Sequence, residues 1–498
     1  MDAFEQLKQD FREGRIGVER LFALLEALQR QLQAAQQRIA ELEAKARGAA
    51  TVKVAEPFSV RAEEQRQEAR QPKKKKAKRG RRGRLSSADK LKLAQRTDKC
   101  FPEGVPPEDC QLSHTRPVWR LENGRAVLIA YEIYRGPKNQ YGKIPGVLGR
   151  SEFGMEVVVE VAYFVYVIGL SFDKVCLTLQ FLQQLKLGKT QVDTLLKQLS
   201  RHWHNEFEVL CTLLANSLVV HTDETSWSLN SVWAFLSEKA RVVLFGVHKD
   251  AQTLEHLLDP KTFKGLVISD DAAVYANFSQ SQKCWAHLLR KAIKLTLLEP
   301  DHHEYRQFTD RLLEIYRQAC RLKCDGRFSP TGRANHVLAL DDAIYDLCLP
   351  LWELELPPLP ASPRNDYRLL VNEVMGLMLD EQLFTFVTAE PAAQPNGTSQ
   401  PVSGTNNEAE RTLRGAAEAR KTGRTNKTAV GARRQTILVS VLESLRLYLP
   451  TFTLTSVLEE IERWWQAGQS CFTELLKKMQ LPQRSQTILD QALPIPDG

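Results

Sequence analysis

Three short apolar runs follow one another between residues 217 and 248: "SLVVHTD", "SVWAFLS" and "ARVVLFGVH". Each is rich in β-branched and aromatic residues and bounded by polar ones, which predicts three consecutive strands. "AQTLEHLL" has helical spacing and leads to a fourth strand, "GLVISD". "QKCWAHLLRKAIKLTLL" then gives a short strand running into a helix. Three adjacent strands, a helix and further strands are the order of an α/β sheet.

Two of these runs end in acids. Asp223 and Glu224 close the first, Asp270 and Asp271 the fourth, and Glu408 and Glu410 form a third cluster in "NNEAERTLR". Clustered carboxylates repel one another unless cations sit among them. Hard oxygen ligands on rigid elements suit two Mg2+ (or Mn2+) ions about 4 Å apart, which activate a nucleophile and stabilise the leaving oxygen when a phosphodiester is hydrolysed or transesterified. A strand-end cap explains any one acid by itself; three clusters beside a basic arm favour metal binding. The residues alone leave open Asp270 or Asp271, and Glu408 or Glu410.

The basic arm is residues 70–84, "RQPKKKKAKRGRRGR", with ten Lys or Arg and no acid. The whole chain carries a net charge of +8, so the remainder is weakly acidic and the basicity is local. Lys73, Lys74, Lys75, Lys76, Lys78, Arg79, Arg81, Arg82 and Arg84 therefore point to a polyanion such as DNA. Nine cysteines, an odd number with no Cys-x-x-Cys, fit free thiols in a reducing compartment. The longest strongly apolar stretch, Val161 to Leu170, is a buried helix and too short to span a bilayer. The N-terminus has no apolar signal region, so the expected location is cytoplasmic, with the nucleoid.

Along the chain, residues 1–47 predict a coiled coil. Val18, Leu21, Leu25, Leu28, Leu32, Ala35, Ile39 and Leu42 keep a heptad whose narrow stripe needs a partner helix, so a homo-oligomer is expected. Residues 48–97 form a disordered basic linker. Residues 98–150 predict a small β-hairpin module turning at Asn123-Gly124, with Cys100, Cys110 and His114 ahead of the turn. Residues 151–212 are helical. Ser171 caps one helix and Thr190 starts the next, as in either a helix-turn-helix or an ordinary helical hairpin. In the former, Gln191, Thr194, Lys197, Gln198 and Arg201 face DNA. Residues 213–440 hold the α/β core, and 441–498 a C-terminal helical segment of unassigned role.

The blocks "HTDETSW", "SDDAAVY" followed by "KCWAHLLRKA", and "NNEAERTLR" closely resemble those of DDE transposases of the insertion sequence 66 family, over residues 150–440. The coiled coil and basic linker fit that family's layout. The resemblance implies a ribonuclease-H-like core with a helical insertion at 298–400 and a metal-binding triad of Asp223, Asp270 and Glu410. Asp270 is selected over Asp271 because the family's second acid stands five residues before a Tyr, here Tyr275. Glu410 is selected over Glu408 by the family's Asn-Asn-x-x-Glu-Arg pattern. The implied activity is DNA transposition: cleavage at the element's ends, then attack of the 3′-hydroxyl on target DNA, with accessory transposition proteins as further partners. A nuclease that does not join strands and a DNA-binding regulator derived from a transposase are the alternatives.

Cys284 and His287 have the Cys-x-x-His spacing that recurs in transposases with such insertions, and a structural role is expected of them. Cys320 and Cys324 are a remote candidate second half. Many family members carry a paired-cysteine zinc ribbon, of which Cys100 and Cys110 look like a degenerate version, so zinc is not expected. After Glu410 the basic residues Arg411, Arg414, Arg420, Lys421, Arg424, Lys427, Arg433 and Arg434 are expected to neutralise DNA backbone.

Replacing Lys73 to Lys76, Arg81 and Arg82 with Gln is expected to weaken DNA binding for all sequences alike. Anisotropy titrations across a salt series should show the log–log slope becoming shallower by up to about 0.9 per lost phosphate contact. A loss confined to one DNA sequence would mean that the run reads bases.

Overall fold

Residues 85–353, 359–482 and 488–492 are described by the structure, a computed structural model. The heptad at 18–42 and the basic run at 70–84 lie outside the described residues.

Regular structure begins inside the stretch expected to be a disordered linker. Ser86 and Asp89 close a capping box on helix α1 (Ser87–Lys92), and strand β1 (Arg96–Cys100) follows. Strands β2 (Gln111–Glu122) and β3 (Arg125–Arg135) form the expected hairpin. Asn123 and Gly124 both have positive φ (50° and 75°), the backbone a tight hairpin turn requires. β1 adds to β3 in parallel, giving a three-stranded sheet, β1-β3-β2. Cys100 is buried in its small core, the Cys110 thiol donates to the Pro106 carbonyl, and the His114 ring meets Ser113.

Helices α2 (Met155–Tyr166), α3 (Phe172–Gln183), α4 (Lys189–His202) and α5 (His204–Ala215) come next. Ser171 caps α3 as its sequence predicts. α4 starts earlier than expected, after Gly188, because the Gln191 side chain reaches back to accept the Gly188 N–H.

The main sheet contains β4 (Val219–Ser226), β5 (Ser231–Ser237), β6 (Arg241–Val247), β7 (Leu266–Ser269) and β8 (Ser281–Lys283), with α6 (Ala251–Leu257) between β6 and β7. Its order is β6-β5-β4-β7-β8. β5 pairs antiparallel to both β4 and β6, while β4, β7 and β8 are parallel. The expected insertion is helical: α7 (Trp285–Leu298) leads into α8 (His303–Cys324), α9 (Pro330–Cys348) and α10 (Pro363–Leu379). The chain returns through α11 (Asn407–Lys421) and α12 (Ala429–Tyr448), then ends in α13 (Leu454–Ala467), α14 (Cys471–Lys478) and α15 (Ile488–Ala492).

Alternation along the strands assigns the two sheet faces. Val220, Val267, Trp233 and Phe235 join one core with α2 to α5 and α12 to α15. Val219, Leu266 and Ile268 face the other way and pack under the insertion helices. On that same second side Val232, Ala234, Val243 and Phe245 pack under Leu413 and Ala416 of α11 and Ala432 and Val439 of α12. The second face is thus shared by two helical covers, the insertion over one part of β4 and over β7, and α11 with α12 over the rest of β4, β5 and β6.

β6 is an edge strand, and an edge leaves backbone groups unpaired. α12 closes it with a column of hydroxyls at four-residue spacing. The N–H groups of Phe245, Val243 and Arg241 donate to Thr436 Oγ1 (3.0 Å), Ser440 Oγ (3.0 Å) and Ser444 Oγ (2.9 Å). The Ser444 hydroxyl donates back to the Arg241 carbonyl at 3.1 Å. This gives part of the C-terminal segment a role the sequence left unassigned, and it moves the boundary expected at 440/441, which falls inside α12.

Ser440→Ala strands the buried Val243 N–H, and an unmet buried donor costs about 1–3 kcal/mol. Urea denaturation is expected to show a loss of that order. A change under about 0.3 kcal/mol would mean that the edge is closed by other means.

Candidate metal and nucleic-acid site

The parallel strands β4, β7 and β8 send their carboxyl ends to one edge of the sheet, where open α/β sheets bind ligands. The β4–β7 register pairs His221 with Ile268. Continued by two residues, it sets Asp223 beside Asp270, the first residue after β7. Strand alternation turns Asp223 to the face carrying Val219 and His221, and Glu224 to the opposite face.

Glu224 is consumed on its own side. Its carboxylate accepts the Tyr275 hydroxyl at 2.5 Å and pairs with Lys249 Nζ at 2.6 Å, almost out of contact with water. Asp223 has no ion pair among the described residues. Burial pushes its carboxyl up to about 7, and the negative charges of Glu224, Asp270 and Glu410 add to the effect. Asp223 thus feels both partners that the sequence analysis assigns to it.

Asp270 Oδ1 accepts the Ala272 N–H at 3.1 Å. Asp271 is exposed, and its carboxylate lies 3.9 Å from Lys283 Nζ. Lys283, the last residue of β8, is buried, and its ammonium donates to the Asp270 carbonyl at 3.3 Å. Burial lowers its pKa, opposed by Asp271 and Asp270. Lys283 stands out only in the fold, at the end of the parallel strand β8 and one residue before Cys284.

The two glutamates of α11 diverge. Glu408 pairs with Arg241 of β6 at 2.6 Å, whereas Glu410 faces α7, 2.5 Å from Arg290 Nη2 and 3.6 Å from His287 Nε2. Two residues turn a helix by about 200°, which accounts for the divergence. Cys284 is the N-cap residue of α7, its thiol is buried, and its sulfur accepts the Asn406 N–H at 3.1 Å. One ligand atom from each of Cys284, His287 and Glu410 lies within 4.8 Å of the others. The acid Glu410, and neither Cys320 nor Cys324, completes this group. A cleft of about 320 Å³ opens beside it, lined by Asp270, Lys283, Cys284 and His287.

Asp223, Asp270 and Glu410 offer hard oxygen donors of the kind Mg2+ or Mn2+ takes, but among the described residues their oxygens do not close to within 4.8 Å of one another as those of the Cys284, His287 and Glu410 group do. The expected DNA-facing residues fare unevenly. Lys73 to Arg84 lie outside the described residues. Arg201, Arg411 and Arg414 are exposed, and Lys197 pairs with Asp193 at 2.7 Å. The expectation of a free basic span after Glu410 is corrected in part. Arg434 pairs with Asp193 and Arg433 with Asp490, both at 2.5 Å, while Arg420 donates to the Ser226 carbonyl and Arg424 to that of Gly169. These four hold helices and loops together.

An unfolded Asp titrates near 3.8 and folded Asp223 near 7. Between those values the folded chain keeps a proton that the unfolded chain has released, so metal-free stability falls as pH rises through this window. Thermal denaturation in chelator is expected to show that fall, and Asp223→Asn should flatten it and raise the melting temperature at pH 8. An unchanged slope would exclude Asp223 as its source.

Residues 150–362 match the family described as Transposase IS66 family. The match takes in Asp223, Asp270, Cys284 and His287 and stops ahead of Glu410. No curated protein matches the chain.

Proposed function

We propose, from the premise that an IS66-family transposase domain spans residues 150–362, that the chain is a DDE-type DNA transposase. It cleaves DNA at the ends of its element and transfers the freed 3′-hydroxyls into target DNA. The observation that carries this reading is the convergence on Asp223: in register with Asp270, influenced by Glu410 and without a cation of its own. Three antiparallel strands extended by two parallel ones, in the order β6-β5-β4-β7-β8, support a ribonuclease-H-like core.

Mg2+ or Mn2+, when bound, would supply Lewis acidity to the attacking and leaving oxygens of a phosphodiester. Asp223, Asp270 and Glu410 are the residues that would hold the ions. Glu224 keeps the neighbouring strand position neutralised through Lys249, so that charge is focused on the Asp223 face. Lys283 fixes the turn after β7 by its bond to the Asp270 carbonyl. Arg411 and Arg414, exposed on the helix that bears Glu410, suit the DNA backbone, as do Lys197 and Arg201 in a helix-turn-helix of α3 and α4. Residues 1–47 would hold two or more copies together, and 48–84 would add sequence-independent affinity. Among the described residues no helix is long and apolar enough to cross a membrane, and the expected workplace is cytoplasmic DNA.

Glu410→Gln is expected to abolish Mg2+-dependent cleavage of element ends and leave the circular dichroism spectrum intact. Glu408→Gln loses a half-exposed ion pair with Arg241, about 0–1 kcal/mol of stability, and should still cut. The reverse result would move the third ligand to Glu408. Joining of a pre-cleaved end to target DNA separates this reading from a nuclease, which would leave that end unjoined.

A further inference from the structure

Cys284, His287 and Glu410 come from two chain segments that meet only in the fold. Cys284 sits at the start of α7, and His287 follows three residues later on the same side of its first turn. Glu410 reaches them from the first turn of α11. His287 turns Nε2 toward Glu410, at 3.6 Å from its carboxylate, and its other ring nitrogen, Nδ1, is buried without a hydrogen-bond partner among the described residues. The Cys284 sulfur already accepts a backbone N–H from Asn406, while burial pushes its thiol up, so a bound cation must displace the proton.

We propose that these three side chains form a binding site for a thiophilic divalent cation of the zinc class, chemically distinct from the all-oxygen pair Asp223 and Asp270. Around a tetrahedral zinc ion with bonds of about 2.0–2.3 Å, ligand atoms stand about 3.3–3.7 Å apart. The separation of 3.6 Å between His287 Nε2 and Glu410 Oε1 already meets this, and the whole group, within 4.8 Å, has about an ångström to close. A sulfur donor selects against Mg2+ and Ca2+ and favours zinc or cobalt. Cys284 and His287 both line the cleft of about 320 Å³, which would leave a fourth position to a water or an incoming ligand. Arg290, the present partner of Glu410, is more than half exposed, so releasing it costs little. Cys284 loses its proton to solvent on binding. On the reading in the preceding subsection, Glu410 then serves two metal chemistries in competition.

The test titrates the full chain, stripped by chelator, with Co2+ alone and reads absorption. A near-ultraviolet band from cobalt–thiolate charge transfer is expected, together with visible bands of tetrahedral strength. Stoichiometric Zn2+ should displace both. Cys284→Ser should remove the near-ultraviolet band, Glu410→Gln and His287→Gln should each weaken Co2+ binding at least tenfold, and Cys320→Ser should change nothing. Circular dichroism of each variant keeps a folding defect from passing as lost binding. Saturating Mg2+ should weaken Co2+ binding several-fold in the native chain, and not in a chain carrying both Asp223→Asn and Asp270→Asn. No band, or a band that survives Cys284→Ser, overturns the site. A band indifferent to Mg2+ leaves the site standing and instead removes Glu410 from the hard-ion trio. The readout uses neither DNA nor turnover.

Discussion

Asn406 has no exposed surface, and its side-chain amide donates to the Thr222 carbonyl at 2.6 Å. Its backbone N–H donates to the Cys284 sulfur. One residue therefore ties the start of α11 to strand β4 and to the start of α7, segments 184 and 122 residues away in sequence. The Trp285 N–H adds a bond to the Gly404 carbonyl at 3.1 Å, and the Cys284 N–H one to the Ser269 carbonyl at 2.9 Å. Breaking a buried bond of this kind leaves its partners unsatisfied, at about 1–3 kcal/mol each. The position of Glu410 relative to Asp223 depends on this junction, because it fixes the first turn of α11 directly against β4, while Glu408 with Arg241 and Arg420 with Ser226 hold the helix to the sheet further along.

Charge pairing around the junction is selective. Lys249 takes Glu224, Arg241 takes Glu408, Arg290 takes Glu410, and Lys283 lies near Asp271. Asp223 and Asp270 have no ion pair among the described residues. Glu224, almost out of contact with water, is neutralised by Lys249 and Tyr275, whereas its strand neighbour Asp223, pushed up to about 7, is left without a cation. That imbalance is an argument for an external cation.

Much of this was legible in the sequence, for reasons that can be named. The strands read correctly because buried runs such as "ARVVLFGVH" cannot be amphipathic helices of ordinary length. The Asn-Gly hairpin read correctly because only that backbone suits the turn. The divergence of Asp223 and Glu224 is legible in the sequence too. Val219, His221 and Asp223 share one parity, while Val220 and Glu224 share the other, so the two acids must face opposite sides. What periodicity cannot carry is contact between distant segments. The hydroxyl column of α12 looks like ordinary polar positions until β6 lies against it. Arg433 and Arg434 look solvated until Asp490 and Asp193 arrive. Cys284 and His287 look isolated until Glu410, 123 residues beyond His287, comes within 4.8 Å of them from α11.

The length of the insertion sharpens the same point. The chain leaves the sheet after β8 and returns about 100 residues later, and closing so long a loop costs entropy that grows only with the logarithm of its length. The return is fastened where it left. Gln282 Nε2 and Trp285 Nε1 both donate to the Leu383 carbonyl, at 2.8 and 2.7 Å, the Lys283 N–H donates to the Gln382 carbonyl at 2.8 Å, and the Phe386 N–H donates to Gln282 Oε1 at 3.0 Å. Trp285 stacks on Tyr316 of α8 and packs against Phe384, so the anchor is apolar as well as hydrogen-bonded. With the exit and re-entry pinned to β8, the rest of the excursion can vary in length with little effect on where α11 begins. The sequence distance between Asp270 and Glu410 then matters little, because α11 starts where the pinned ends of the excursion and Asn406 put it.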